Sequence, residues 1–110
     1  MLSKVAIVED DQAVGQTLRE LLQFLLPANC TVAVFEGTDA VKEGLLQFQP
    51  DLVFLNPDLD GEEGFPLMPT CAPPHCPFIA IARTPKFAYH AFRANAIDYL
   101  LSPFDAQLVE

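Results

Sequence analysis

Val5-Ala6-Ile7-Val8 is a continuous apolar run, and Glu9-Asp10-Asp11 ends it abruptly. A strand buried on both faces of a parallel sheet reads this way. Working outward, Val14, Leu18, Leu21, Leu22 and Leu25 fall on one face of a helix, with Asp11 placed as its N-cap and Pro27 just past its end. Thr31-Val32-Ala33-Val34-Phe35 reads as a second strand, at an edge. Val41, Gly44, Leu45 and Phe48 mark a second helix ending near Pro50. Leu52-Val53-Phe54-Leu55 is a third strand, followed by the turn-forming Asn56-Pro57-Asp58-Leu59-Asp60-Gly61. Phe78 to Ala82 is a fourth strand. Phe87, Ala88, Ala91 and Phe92 mark a helix after Pro85, and Tyr99-Leu100-Leu101 is a fifth strand stopped by Ser102-Pro103.

The rhythm breaks between residues 66 and 77. Pro66, Pro69, Pro73, Pro74 and Pro77 are half of the chain's 10 prolines, so the third helix should be a turn or two followed by irregular chain. Alternating strands and helices imply a parallel sheet covered on both faces. The expected fold is α/β: a flavodoxin-like, doubly wound (βα)5 sandwich with sheet order 2-1-3-4-5. In such sheets sites form beyond the carboxyl ends of the strands, at the switch between strands one and three. That rule singles out Glu9, Asp10 and Asn56. Six residues follow Phe104, too few for a stable helix. Residues 1–110 are therefore expected to be one domain cut from a longer protein inside its last helix.

Composition narrows the function classes. The chain has 110 residues, 51% apolar and 19% charged, which excludes disorder and suits one core. No apolar run approaches the ~20 residues of a membrane span, and the start lacks a signal-peptide cleavage pattern. A net charge of −9 argues against direct nucleic-acid binding. Three irregularly spaced cysteines make no disulfide framework. The expected setting is cytoplasmic, with reduced thiols. Cys71, His75 and Cys76 lack the ligand spacing of a zinc site. No Gly-rich phosphate loop or nucleophile elbow appears, and His75 and His90 lie outside the strand-end pocket, so an enzyme is not expected.

Three segments carry a more specific signal. Val8-Glu9-Asp10-Asp11, Asp51 to Asn56 followed by Gly61 and Gly64, and Asp98-Tyr99-Leu100-Leu101-Ser102-Pro103-Phe104 resemble the receiver domain of bacterial response regulators. The resemblance covers essentially the whole chain. The run from Ala91 to Leu101 is most similar to receivers joined to a LytTR-type DNA-binding domain. The resemblance implies that Glu9 and Asp10 fall on the family's Mg²⁺-binding acidic pair. Asp58 falls where a backbone carbonyl would join them. Asn56 falls on the phosphoacceptor aspartate, Ala82 on the switch Thr/Ser, Ser102 on the conserved-role Lys, and Tyr99 on the switch aromatic.

Three departures matter chemically. A carboxamide is a poor nucleophile for phosphoryl transfer. Ala82 has no hydroxyl, and Ser102 carries no charge to neutralise a phosphoryl group. With one carboxylate lost, no cofactor is required and any Mg²⁺ site is expected to be weak. The reading is an atypical, phosphorylation-independent receiver that controls a C-terminal effector by protein contacts, with a homodimer through the fourth-helix and fifth-strand face. Two alternatives stand beside it: a phosphoacceptor at Asp58 or Asp60, and a pseudo-receiver that senses a small molecule in the emptied pocket. Arg83 or Lys86 could swing over the acidic pocket, although a solvated helix face is the plainer reading. Tyr99 is expected to be half-buried with its hydroxyl reaching solvent.

Overall fold

The computed structural model describes residues 2–59 and 62–102. Strands β1 (Lys4–Val8), β2 (Thr31–Phe35), β3 (Leu52–Leu55), β6 (Phe78–Ala82) and β7 (Asp98–Leu101) form one sheet in the order β2-β1-β3-β6-β7. All four pairings are parallel. This is the expected 2-1-3-4-5 order, counted over the sheet's own strands. Two further strands, β4 (Asp58–Leu59) and β5 (Glu62–Glu63), make a small antiparallel ladder outside it. Asn56 to Gly61 reads in the sequence only as a turn-rich stretch. Turn residues fix where the chain reverses but do not show that its arms pair.

Alternate strand residues face opposite layers, as a period of two requires. Ala6, Val8, Val53, Leu55 and Ala80 pack with Val41 and Leu45 of α2 (Thr38–Phe48), Leu67, Met68 and Cys71 of α3 (Leu67–Cys71), and Ala91 of α4 (Ala88–Arg93). Val5, Ile7, Phe54, Ile81 and Leu100 pack on the other face with Leu18 and Leu22 of α1 (Gln12–Leu25). Both faces of β1 and β3 are therefore dry, which is why their sequences are apolar throughout. The proline-rich segment yields α3 with only five residues. Among the described residues no helix is long and apolar enough to cross a membrane.

Two details differ from expectation. Phe92, one of the apolar residues that mark this helix in the sequence, is 79% exposed. Helix α4 has six residues and offers only Ala91 to the core, so the apolar spacing around Phe92 marks no buried stripe. The helix is also preceded by a 3₁₀ turn, Pro85–Phe87, in place of a longer α-helical start. The expected truncated last helix, the Ser102–Pro103 peptide and Asp60 lie outside the described residues.

The sheet's amino end is tied by Asp51. Its Oδ2 accepts hydrogen bonds from Ser3 N at 2.9 Å, Ser3 Oγ at 3.0 Å and Lys4 N at 2.9 Å. These donors hold its carboxyl below the usual carboxylate range. At the other end the chain leaving β3 turns tightly, and Gly64 N donates to Pro57 O at 2.8 Å. A Cβ on Gly64 would lie 2.8 Å from the Asn56 carbonyl oxygen and 3.3 Å from Leu55 and Leu59 Cδ1. Gly64→Ala is thus expected to lower stability by about 1–3 kcal/mol, the usual cost of forcing a methyl into packed space. A lower urea midpoint with an unchanged slope would bear this out; an unchanged midpoint would refute it.

Candidate functional site

The register of β1 on β3 pairs Val8 with Leu55. Glu9 and Asn56 therefore leave the sheet side by side, and Asn56 N donates to Val8 O at 2.9 Å. A cleft of about 560 Å³ opens there, lined by Glu9, Asp10, Asp11, Asn56, Asp58, Ala82, Arg83, Thr84, Lys86 and Phe87. The fold thus brings together five of the residues picked from sequence: Glu9, Asp10, Asn56, Asp58 and Ala82. Tyr99 and Ser102 do not line the cleft. Ser102 N donates to Ala82 O at 2.8 Å, which extends the β6–β7 pairing by one residue.

Asn56 decides the chemistry of this cleft. Its Nδ2 donates to Glu9 Oε2 at 2.7 Å, and its Oδ1 accepts from Asp58 N at 2.9 Å. The orientation is forced: a carboxylate can only accept and a backbone N–H can only donate. Glu9 is the one buried charged residue of the described core, at 4% exposure. Burial pushes its carboxyl above the usual range, and the negative charge of Asp11 adds to this. The Asn56 amide and the N–H groups of Asp11 and Asp10 oppose the shift without cancelling it.

The neighbouring acids are also engaged. Asp10 Oδ1 accepts from Gly37 N at 2.9 Å. Gly37 has φ +79°, a backbone conformation that favours glycine, so this donor was signalled only by a glycine two residues past the second strand. Asp11 Oδ1 caps α1, accepting from Ala13 N at 3.0 Å and Val14 N at 3.3 Å, as its sequence position predicts. Its Oδ2 pairs with Arg83 Nη2. Arg83 therefore reaches the rim of the acidic cleft while its side chain stays 71% exposed, so both the expected reach and the solvated surface are found. Sequence reading allowed Arg83 to reach the acidic pocket but did not name Asp11, 72 residues away, as its partner.

Tyr99 is half-buried, as expected, and its hydroxyl finds partners the sequence did not name. Its hydroxyl donates to Thr84 O at 2.8 Å and accepts from Phe87 N at 3.3 Å, so it is bonded to the loop after β6. Burial raises its pKa, and the Phe87 N–H acts the other way.

A Mg²⁺ ion needs oxygen ligands. Glu9, Asp10 and the Asp58 carbonyl could supply some. Asn56, however, turns an N–H donor toward Glu9 and commits its oxygen to a backbone amide. The donor set fits Mg²⁺ poorly on that ground. Among the described residues no group of three or more His, Cys, Asp or Glu is placed to hold a metal. Cys30, Cys71 and Cys76 are free thiols. Burial, with the charge of Asp51, pushes Cys30 and Cys76 up, which keeps them protonated and poor as ligands.

Comparison with known proteins fits this geometry. The family model for the response regulator receiver domain matches residues 5–110. The chain belongs to the response-regulator receiver family. The receiver is 31% identical to the sensory transduction protein LytT of Bacillus cereus, over 96% of this chain and 44% of that protein. It is 32% identical to the transcriptional regulatory protein BtsR of Escherichia coli, over 97% of this chain and 45% of the relative. The chain thus spans less than half the length of these curated relatives. Among solved structures, a CheY-like receiver domain from Methylobacillus flagellatus aligns with TM-score 0.78 and 26% identity, over 100% of this chain and 94% of that one. The receiver domain of AraT from Geobacillus stearothermophilus aligns with TM-score 0.74 and 27% identity, over 97% and 86%.

The buried carboxylate has a measurable consequence. Because the folded pKa of Glu9 is raised, its contribution to stability is full below the unfolded carboxyl value and is lost as pH rises through the folded one. Glu9→Gln removes the buried charge and still offers Asn56 an acceptor. The variant is expected to melt above the native receiver at pH 7, with the difference closing below about pH 4. A variant that melts lower at pH 7 would contradict this assignment.

Proposed function

We propose that this receiver works without phosphorylation and sets the activity of a C-terminal effector through protein contacts. The observation that carries the reading is the Asn56 carboxamide at the strand end, committed to Glu9 and to the Asp58 amide. A neutral amide nitrogen sharing its lone pair with a carbonyl is no nucleophile for a phosphoryl group. Asn56 then stands as a degenerate phosphoacceptor. Ala82 and Ser102 support the same conclusion, since neither could neutralise the charge of a transferred phosphoryl group. Tyr99, bonded to Thr84 and Phe87, supports a switch loop that rests in one position.

The relatives' greater length supports an effector beyond this domain, and the resemblance to LytTR-associated receivers favours a DNA-binding one acting in transcription in the cytoplasm. Tyr89, Phe92, Ile97 and Leu101 are all exposed on the α4–β7 side. These exposed apolar side chains on and around the fourth helix and last sheet strand support a homodimer through that part of the molecule. Without phosphate, the balance of active and inactive forms is set by partners and by the sequence itself, through their differential affinity for the two.

Intact mass after incubation with acetyl phosphate and Mg²⁺ tests the reading. The native receiver is expected to gain no phosphoryl adduct. An adduct on Asn56→Asp alone would trace the loss to the missing nucleophile, and none on either would add Ala82 and Ser102 to the cause. An adduct on the native receiver would contradict the reading and direct mapping to Asp58 and Asp60.

A further inference from the structure

We propose that Arg83 is a built-in latch across the cleft, tying the loop after β6 to the head of α1 and thereby setting the position of α4. The inference rests on the reading that no phosphoryl group governs this loop. The loop begins at Arg83, directly after the last residue of β6, and runs through the Pro85–Phe87 turn into α4. Its β7 side is fixed by Tyr99, whose hydroxyl bonds both Thr84 O and Phe87 N. Thr84 Oγ1 accepts from Lys86 N at 3.3 Å and caps the turn from within. The side facing α1 is held by the Arg83–Asp11 ion pair.

An ordinary exposed ion pair is weak because two long side chains must be ordered for little Coulomb gain. Here one partner is ordered in advance. Asp11 is short, and its other oxygen is already bound by the first N–H groups of α1. Only Arg83 loses freedom when the pair forms. The pair also stands at the rim of a cleft lined by Glu9, Asp10, Asp11 and Asp58, so its positive charge adds to the helix N–H groups in offsetting their repulsion, while the Arg83 side chain itself remains 71% exposed. Released from Arg83, the loop would be held from the β7 side alone. The exposed Tyr89 and Phe92 of α4 follow directly after this loop, so the latch fixes the surface that α4 presents.

Hydrogen–deuterium exchange on the native receiver, Arg83→Ala, Asp11→Asn and the double variant tests the latch. Asparagine caps a helix about as well as aspartate, so Asp11→Asn removes the charge and keeps α1 intact. Amides of residues 83, 84 and 86–88 are expected to exchange about two- to fivefold faster in each single variant, the range an exposed pair can supply. The double variant should be no faster than either. Unchanged exchange in Arg83→Ala, or effects that add in the double variant, would overturn the latch. A phosphoryl adduct on the native receiver would instead overturn the functional reading and leave the exchange result to stand by itself.

Discussion

The hydrogen bond from Asn56 Nδ2 to Glu9 Oε2, 2.7 Å long, is the contact on which the strand-end site depends. It joins the carboxyl ends of the two central strands, where parallel pairing places Glu9 and Asn56 next to each other. A carboxylate at 4% exposure is costly unless donors surround it. Asn56 supplies the shortest of those donors. A carboxylate at position 56 would set two like charges against each other and would need a cation between them. The amide removes that need. On the proposed reading, the same side chain also accounts for a receiver that works without a phosphoryl group, because an amide is no nucleophile.

The rest of the cleft follows the same logic. Asp10 is held by the Gly37 amide, and Asp11 by its own helix and by Arg83. Glu9, Asp10 and Asp11 each have an internal donor. These donors come from the loops after β2, β3 and β6, so satisfying the acids also pins the loops. The loop after β6 is the one that leads to α4 and its exposed aromatic residues. On this account the signal surface is placed by fixed side chains, where a phosphorylated receiver would place it by an added charge.

Much of this fold was legible in the sequence, for reasons that are local. The runs Val5–Val8 and Leu52–Leu55 are apolar because both faces of a central parallel strand are covered. The prolines between 66 and 77 left α3 only five residues. The position of Glu9, Asp10 and Asn56 at one cleft follows from topology alone. What the sequence hid is lateral. Gly37 with Asp10 and Tyr99 with Thr84 join separate elements, and periodicity does not encode them; Arg83 over the acidic pocket was open to the sequence reading, but its partner Asp11 was not. Phe92 misled because a six-residue helix has too few turns for apolar spacing to define a buried face.

The most direct test of the central claim is a ¹H–¹⁵N NMR titration of the native receiver with Mg²⁺ and then a beryllium fluoride mimic of the phosphoryl group. The account predicts that the Asn56 side-chain amide and the backbone amides of Glu9, Asp10 and residues 83–87 keep their positions throughout. Saturable shifts at Asn56 and the loop after β6 would show that the cleft still takes a cation and a phosphoryl group, and would contradict a site completed from within.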